Sequence, residues 1–110
     1  MPWTRIAEVS EAPPGGVVEV IHEDEPYAVC NVNGELRVLS GVCPHAGGPL
    51  GQGALDGGIL TCPFHGWEFD CATGVCTMDD TVTVPTYPAR VESGFIMADL
   101  PAAGTAGQPA

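Results

Sequence analysis

The chain has 110 residues, with 14 acidic side chains against three arginines (Arg5, Arg37, Arg90), no lysine and a net charge of −11. That length fits one domain, and the acidity argues against nucleic acids and anionic membrane surfaces as partners, because both select cationic patches. No apolar run approaches the roughly 18 residues that span a bilayer, and Met1-Pro2-Trp3-Thr4-Arg5 does not open an export signal, so a cytoplasmic protein is expected.

Fifteen glycines and eleven prolines among many β-branched residues predict an all-β fold of short strands and turns. Val17 to Ile21 and Tyr27 to Val32 read as strands separated by the acidic turn Glu23-Asp24-Glu25-Pro26, with His22 a solvated turn residue beside it. Asn33-Gly34 then joins Tyr27–Val32 to the alternating Glu35–Leu39, and Asn-Gly between such runs signals a type I′ hairpin, whose two central residues both need positive φ.

From Gly41 to Gly53 the chain is too rich in Gly and Pro for regular structure. Leu55 and Ile59-Leu60 flank a turn at Asp56-Gly57-Gly58. A second loop precedes Trp67-Glu68-Phe69-Asp70, and Ala72-Thr73-Gly74 turns the chain into Val75-Cys76. Strand character resumes at Thr81 to Val84 and Arg90 to Glu92, and Ser93-Gly94 turns into Phe95-Ile96-Met97. Pro101 to Ala110 holds only Pro, Ala, Gly, Thr and Gln and is read as a disordered tail. The predicted plan is an antiparallel β-sheet sandwich base made from both ends of residues 1–100. A small subdomain at about residues 41–80 is inserted in it, with so few apolar side chains of its own that metal-ligand bonds stand in for a core.

The chemistry lies in Cys43-Pro44-His45 and Cys62-Pro63-Phe64-His65, a C-x-H and a C-x-x-H separated by 16 residues. Each loop offers one soft thiolate and one imidazole. That supply suits a [2Fe–2S] centre with two thiolates on one iron and two imidazoles on the other. Zn²⁺ accepts the same donors, although zinc fingers more often pair like with like in each half.

Cys43-Pro44-His45-Ala46-Gly47-Gly48-Pro49-Leu50 and Cys62-Pro63-Phe64-His65-Gly66-Trp67-Glu68-Phe69-Asp70, followed by Thr73-Gly74, resemble the two cluster loops of the Rieske family. The resemblance implies a Rieske-like fold and one [2Fe–2S] cluster held by Cys43, His45, Cys62 and His65. High-potential members of the family carry a disulfide between the loops; Gly48 and Phe64 stand at the matching positions and cannot form it. Trp67 and Phe69 replace the serine and tyrosine whose hydroxyls donate to cluster sulfur in those members. All four departures imply the low-potential class. It resembles the ferredoxins that pass electrons from a flavin-dependent NAD(P)H reductase to a terminal oxygenase hydroxylating aromatic rings.

An oxygenase needs a further iron, usually on two His and a carboxylate. Only His22 remains beyond His45 and His65, so an electron carrier rather than an enzyme is expected. The alternative is the Rieske-like small subunit of an assimilatory nitrite reductase. A carrier of this size needs no oligomer.

Cys30 reads as a small buried hydrophobe. Cys71 and Cys76 flank the Ala72-Thr73-Gly74 turn and could pair across it, though a reducing cytoplasm would keep both thiols free. Trp67 and Phe69 are expected to pack beneath the cluster loops. Ala46, Gly47, Gly48, Pro49, Leu50 and Phe64 are expected to form a flat apolar cap for transient redox docking.

Overall fold

The computed structural model describes residues 3–44, 47–64 and 66–100. Its strands are β1 (Trp3–Glu8), β2 (Val17–His22), β3 (Glu25–Val32), β4 (Glu35–Ser40), β5 (Ala54–Asp56), β6 (Ile59–Thr61), β7 (Glu68–Asp70), β8 (Thr86–Tyr87), β9 (Ala89–Glu92) and β10 (Phe95–Asp99). Single 3-10 turns occupy Val9–Glu11 and Leu50–Gln52.

These strands form three antiparallel sheets, ordered β1-β10-β9, β2-β3-β4-β8 and β5-β6-β7. Four of the connections are two-residue turns with positive φ at both positions: Glu23-Asp24, Asn33-Gly34, Gly57-Gly58 and Ser93-Gly94. This is the type I′ geometry whose twist matches that of the flanking strands. The Asn33-Gly34 and Ser93-Gly94 hairpins are therefore as expected. The acidic turn is shorter than expected, since Glu25 and Pro26 already belong to β3 and pair with His22 and Ile21.

The four-stranded sheet is the middle layer. From its β3, Tyr27 and Val29 pack with Val38, Ile96 and Ala98 towards the β1-β10-β9 sheet. Ala28 and Cys30, on the opposite face, pack with Leu39, Leu50, Leu60 and Phe69 towards β5-β6-β7. With both faces covered, Tyr27 to Asn31 form a continuous buried run rather than an alternating one. Asn31 is the polar member of that run. Its amide N–H donates to Ala12 O (2.7 Å), its Oδ1 accepts from Gly34 N–H (2.7 Å), and its main chain bonds Gly15 and Gly16.

Two expectations need correction, and one strand has no signal in the sequence. Thr81–Val84 is not a strand. Val82 O and Val84 N–H bond to Cys76 and Gly74, and Thr83 makes only an isolated bridge with Val75, so the segment laces the loops together before Pro85. Trp3–Glu8 alternates too poorly to signal a strand, yet it forms β1, with a register shift between Arg5 and Ala7. The small sheet does have a core: Leu50, Leu60 and Phe69 are fully buried with Cys71, Cys76 and Val84, each large side chain being worth about 1.5–3 kcal/mol. The expected tail, 101–110, lies outside the described residues.

Candidate metal centre

Two loops meet beside the β5-β6-β7 sheet. The first closes as a noose on the end of β4. Val42 bridges Pro49, Cys43 N–H donates to Gly48 O (2.9 Å), Gly47 N–H returns to Cys43 O (2.8 Å), and Leu50 N–H reaches Gly41 O (2.9 Å). The second joins β6 to β7 and is closed by Cys62 N–H donating to Trp67 O at 2.7 Å.

Their closure brings Cys43 and Cys62 together. Each is 1% exposed, and both sit in one buried cluster where Cys43 acts on the Cys62 thiol. Burial pushes the Cys62 thiol above its ordinary range and the neighbouring Cys43 adds to the rise, while Phe64 N–H, donating to Cys62 Sγ at 3.3 Å, opposes it. Two thiolates side by side in such a pocket would repel one another, so a cation is what lets both ionise. Among the described residues no group of three or more His, Cys, Asp or Glu could hold a metal, so the pair gains no third donor there. His45, His65 and Ala46 lie outside the described residues.

Gly48 seals the junction, since a Cβ built on it would lie 2.8 Å from Phe64 Cγ and 2.9 Å from Cys62 Sγ. Beneath the loops Phe69 is fully buried in the same cluster as Cys43 and Cys62, and Trp67 packs against that cluster, both as expected. On the outer rim Phe64 is 48% exposed, beside exposed Pro44, Gly47, Pro63 and Gly66. Leu50 does not join this cap. Its 3-10 turn packs against β2 and β3, with Gly51 seated on Glu19, which drives the leucine into the core.

His22 ends β2, half-buried opposite Glu25, rather than sitting in the turn itself. Cys30 is a fully buried core residue, as read. All five cysteines are free thiols, and the thiol that acts on Cys71 is that of Cys30 on β3 rather than Cys76 across the turn. Spacing along the chain carries no trace of that contact, which only the stacking of the two sheets creates.

The chain belongs to the Rieske [2Fe–2S] domain family, whose model matches residues 2–88. It is 32% identical over 100 residues to the ferredoxin component of the naphthalene 1,2-dioxygenase system of Pseudomonas aeruginosa, covering 89% of this chain and 95% of that one. The Sphingomonas yanoikuyae B1 ferredoxin superimposes with a TM-score of 0.82 at 36% identity, over 91% of this chain and all of that one. The ferredoxin in a complex of reduced oxygenase and oxidized ferredoxin of carbazole 1,9a-dioxygenase gives 0.79 at 28% identity, over 87% and 91% of the two chains. A nitrite reductase small subunit from Mycobacterium tuberculosis also gives 0.80, at 27% identity over 93% and 97%.

The site's chemistry fits the cluster this family is named for. Two soft sulfur donors stand side by side, a main-chain N–H already points at one of them, and the glycine at the junction leaves no side chain in the way.

Proposed function

We propose that this Rieske-family chain is a one-electron carrier that takes electrons from a flavin-dependent NAD(P)H reductase and delivers them to the terminal oxygenase of an aromatic-ring dioxygenase system. The observation that carries this reading is the convergence of Cys43 and Cys62, in a chain that aligns over 95% of the length of a dioxygenase ferredoxin component. Cys43, His45, Cys62 and His65 are assigned as the cluster ligands, with the thiols on one iron and the imidazoles on the other. Residues 1–100 are taken as the Rieske domain, those at about 41–80 as its cluster-binding subdomain, and 101–110 as a tail.

When bound, the cluster supplies reversible uptake and release of one electron. The protein's own part is positional and electrostatic. Phe64 N–H donates to Cys62 Sγ and so stabilises negative charge on that sulfur. Phe69 and Trp67 close the floor of the site against water. The Phe64, Pro44 and Pro63 rim offers a small apolar contact on a strongly acidic protein, which suits fast, transient encounters with a partner carrying basic groups. Beyond the four ligands only His22 remains as a histidine, so the chain is an electron-transfer component and its partner holds the substrate. No helix among the described residues is long and apolar enough to cross a membrane. We take the carrier to be a cytoplasmic monomer.

The test is reconstitution. Purified protein should contain about two irons and two acid-labile sulfides and should couple NADH oxidation by a flavin reductase to product formation by a ring-hydroxylating oxygenase. Zinc without sulfide would overturn the cofactor assignment. Stable co-purification with a sirohaem protein, with no oxygenase coupling, would assign the nitrite reductase role instead.

A further inference from the structure

Cys30 and Cys71 take no part in the site, yet the fold sets them against each other. Cys30 lies on β3, in the middle layer, 0% exposed. Cys71 follows β7, 2% exposed, and its N–H is anchored on Gly58 O (2.9 Å) in the β5–β6 turn. Both belong to one buried cluster, and each thiol acts on the other. Arg37, register partner of Cys30 on β4, lines with Cys71, Leu36, Thr86 and Tyr87 a surface cavity of about 460 Å³, through which a small oxidant can approach Cys71.

We propose that Cys30 and Cys71 form a reversible disulfide in the presence of a peroxide, tying the middle sheet to the β5-β6-β7 sheet. The environment divides the roles. Hydrogen bonding to Cys71 and burial push the Cys30 thiol up, so it keeps its proton. The bond from Cys30 lowers Cys71, and Arg37 assists, against opposition from burial and Asp70. Cys71 lines the cavity and Cys30 does not, so Cys71 is the attacking thiolate and Cys30 the resolving thiol.

In the first step Cys71 sulfur attacks one peroxide oxygen and breaks the O–O bond, giving a sulfenic acid and hydroxide, which solvent protonates to water. In the second, Cys30 sulfur displaces the sulfenic oxygen, which leaves as water with the Cys30 proton. Two thiols and hydrogen peroxide become one disulfide and two waters. Each sulfur gives up one electron and the peroxide takes both. The pair closes to a bond of about 2.05 Å, and a dithiol reductant reverses it.

The test uses iron-replete protein treated with graded hydrogen peroxide, blocked with N-ethylmaleimide and mapped by mass spectrometry without reduction, while the visible spectrum is followed. The expected result is a Cys30–Cys71 cross-link at doses that leave the spectrum intact, with both thiols lost together and regained with dithiothreitol. Full alkylation of Cys30 and Cys71 at those doses would overturn the proposal. So would a Cys71–Cys76 cross-link in its place, or only a Cys43–Cys62 link appearing as the spectrum bleaches. In Cys30→Ser, Cys71 should be captured by dimedone as sulfenic acid; failure of capture in a folded variant would overturn the assignment of Cys71 as attacker. If that variant does not fold, wild-type mapping alone decides.

Discussion

Gly48 faces Phe64 across the two loops so closely that a Cβ on the glycine would stand 2.8 Å from the ring carbon Cγ and 2.9 Å from Cys62 Sγ. Positions 48 and 64 hold the two loops together by packing. Gly48→Ala should push the loops apart, costing about 1–3 kcal/mol as overpacking does, and should lower iron per chain. Phe64→Ala in the same background should restore part of the iron, because it removes the contact with Phe64 Cγ while those with Cys62 Sγ and the Cβ of residue 64 (3.0 Å) remain. Iron content and melting temperature of the single and double variants check this.

Cys62→Ser or Cys43→Ser should abolish iron and labile sulfide, because a serine oxygen replaces a soft donor. The β5-β6-β7 sheet should survive, since Leu50, Leu60 and Phe69 pack it on the middle sheet without help from metal. Far-UV circular dichroism should retain the β signal while limited proteolysis cuts within the two loops. Global unfolding would show that the cluster, not this core, holds the small sheet.

The potential should lie near the lower end of the family range of about −150 to +300 mV. Trp67 and Phe69 offer no hydroxyl to cluster sulfur, and the net charge of −11 opposes an added electron. Phe69→Tyr should raise the potential, provided the fully buried site accepts one more oxygen. Protein-film voltammetry decides, and a wild-type value above about +100 mV would contradict the low-potential assignment and the oxygenase role with it.

Burial, assisted by Tyr87, Glu25 and Glu23, raises Tyr27 from 10.0 to about 12. Its ring packs edge-on against Tyr87 with centroids 5.6 Å apart. The folded state therefore holds this proton where the unfolded chain has lost it. The associated stability is complete below pH 10 and is lost as pH rises from 10 through 12. The loss should reach about 1.4 kcal/mol one unit above the unfolded value. Melting temperatures at pH 9 and 11 should fall less in Tyr27→Phe than in wild type. Equal falls would mean that Tyr27 does not set the alkaline limit.

The local features of the fold were legible because their causes are local. Asn33-Gly34 and Ser93-Gly94 specify turns by their own φ preferences, and donor type and spacing are the basis on which Cys43, His45, Cys62 and His65 are proposed as ligands. The Rieske family is shown by the match over residues 2–88. Leu50 lies in the core and not on the docking cap, because its direction depends on a 3-10 turn packing against β2 and β3, contacts remote in sequence. Thr81–Val84 has β-branched residues but spends its hydrogen bonds on Gly74 and Cys76, so propensity there lost to tertiary pairing. Cys71 stands near Cys76 along the chain, and both thiols are free as expected, but layering sets Cys71 beside Cys30 instead. Residue chemistry and short-range geometry are written along the chain. Which side chains meet across stacked sheets is decided only when two covered faces of one strand, β3, each find their own core.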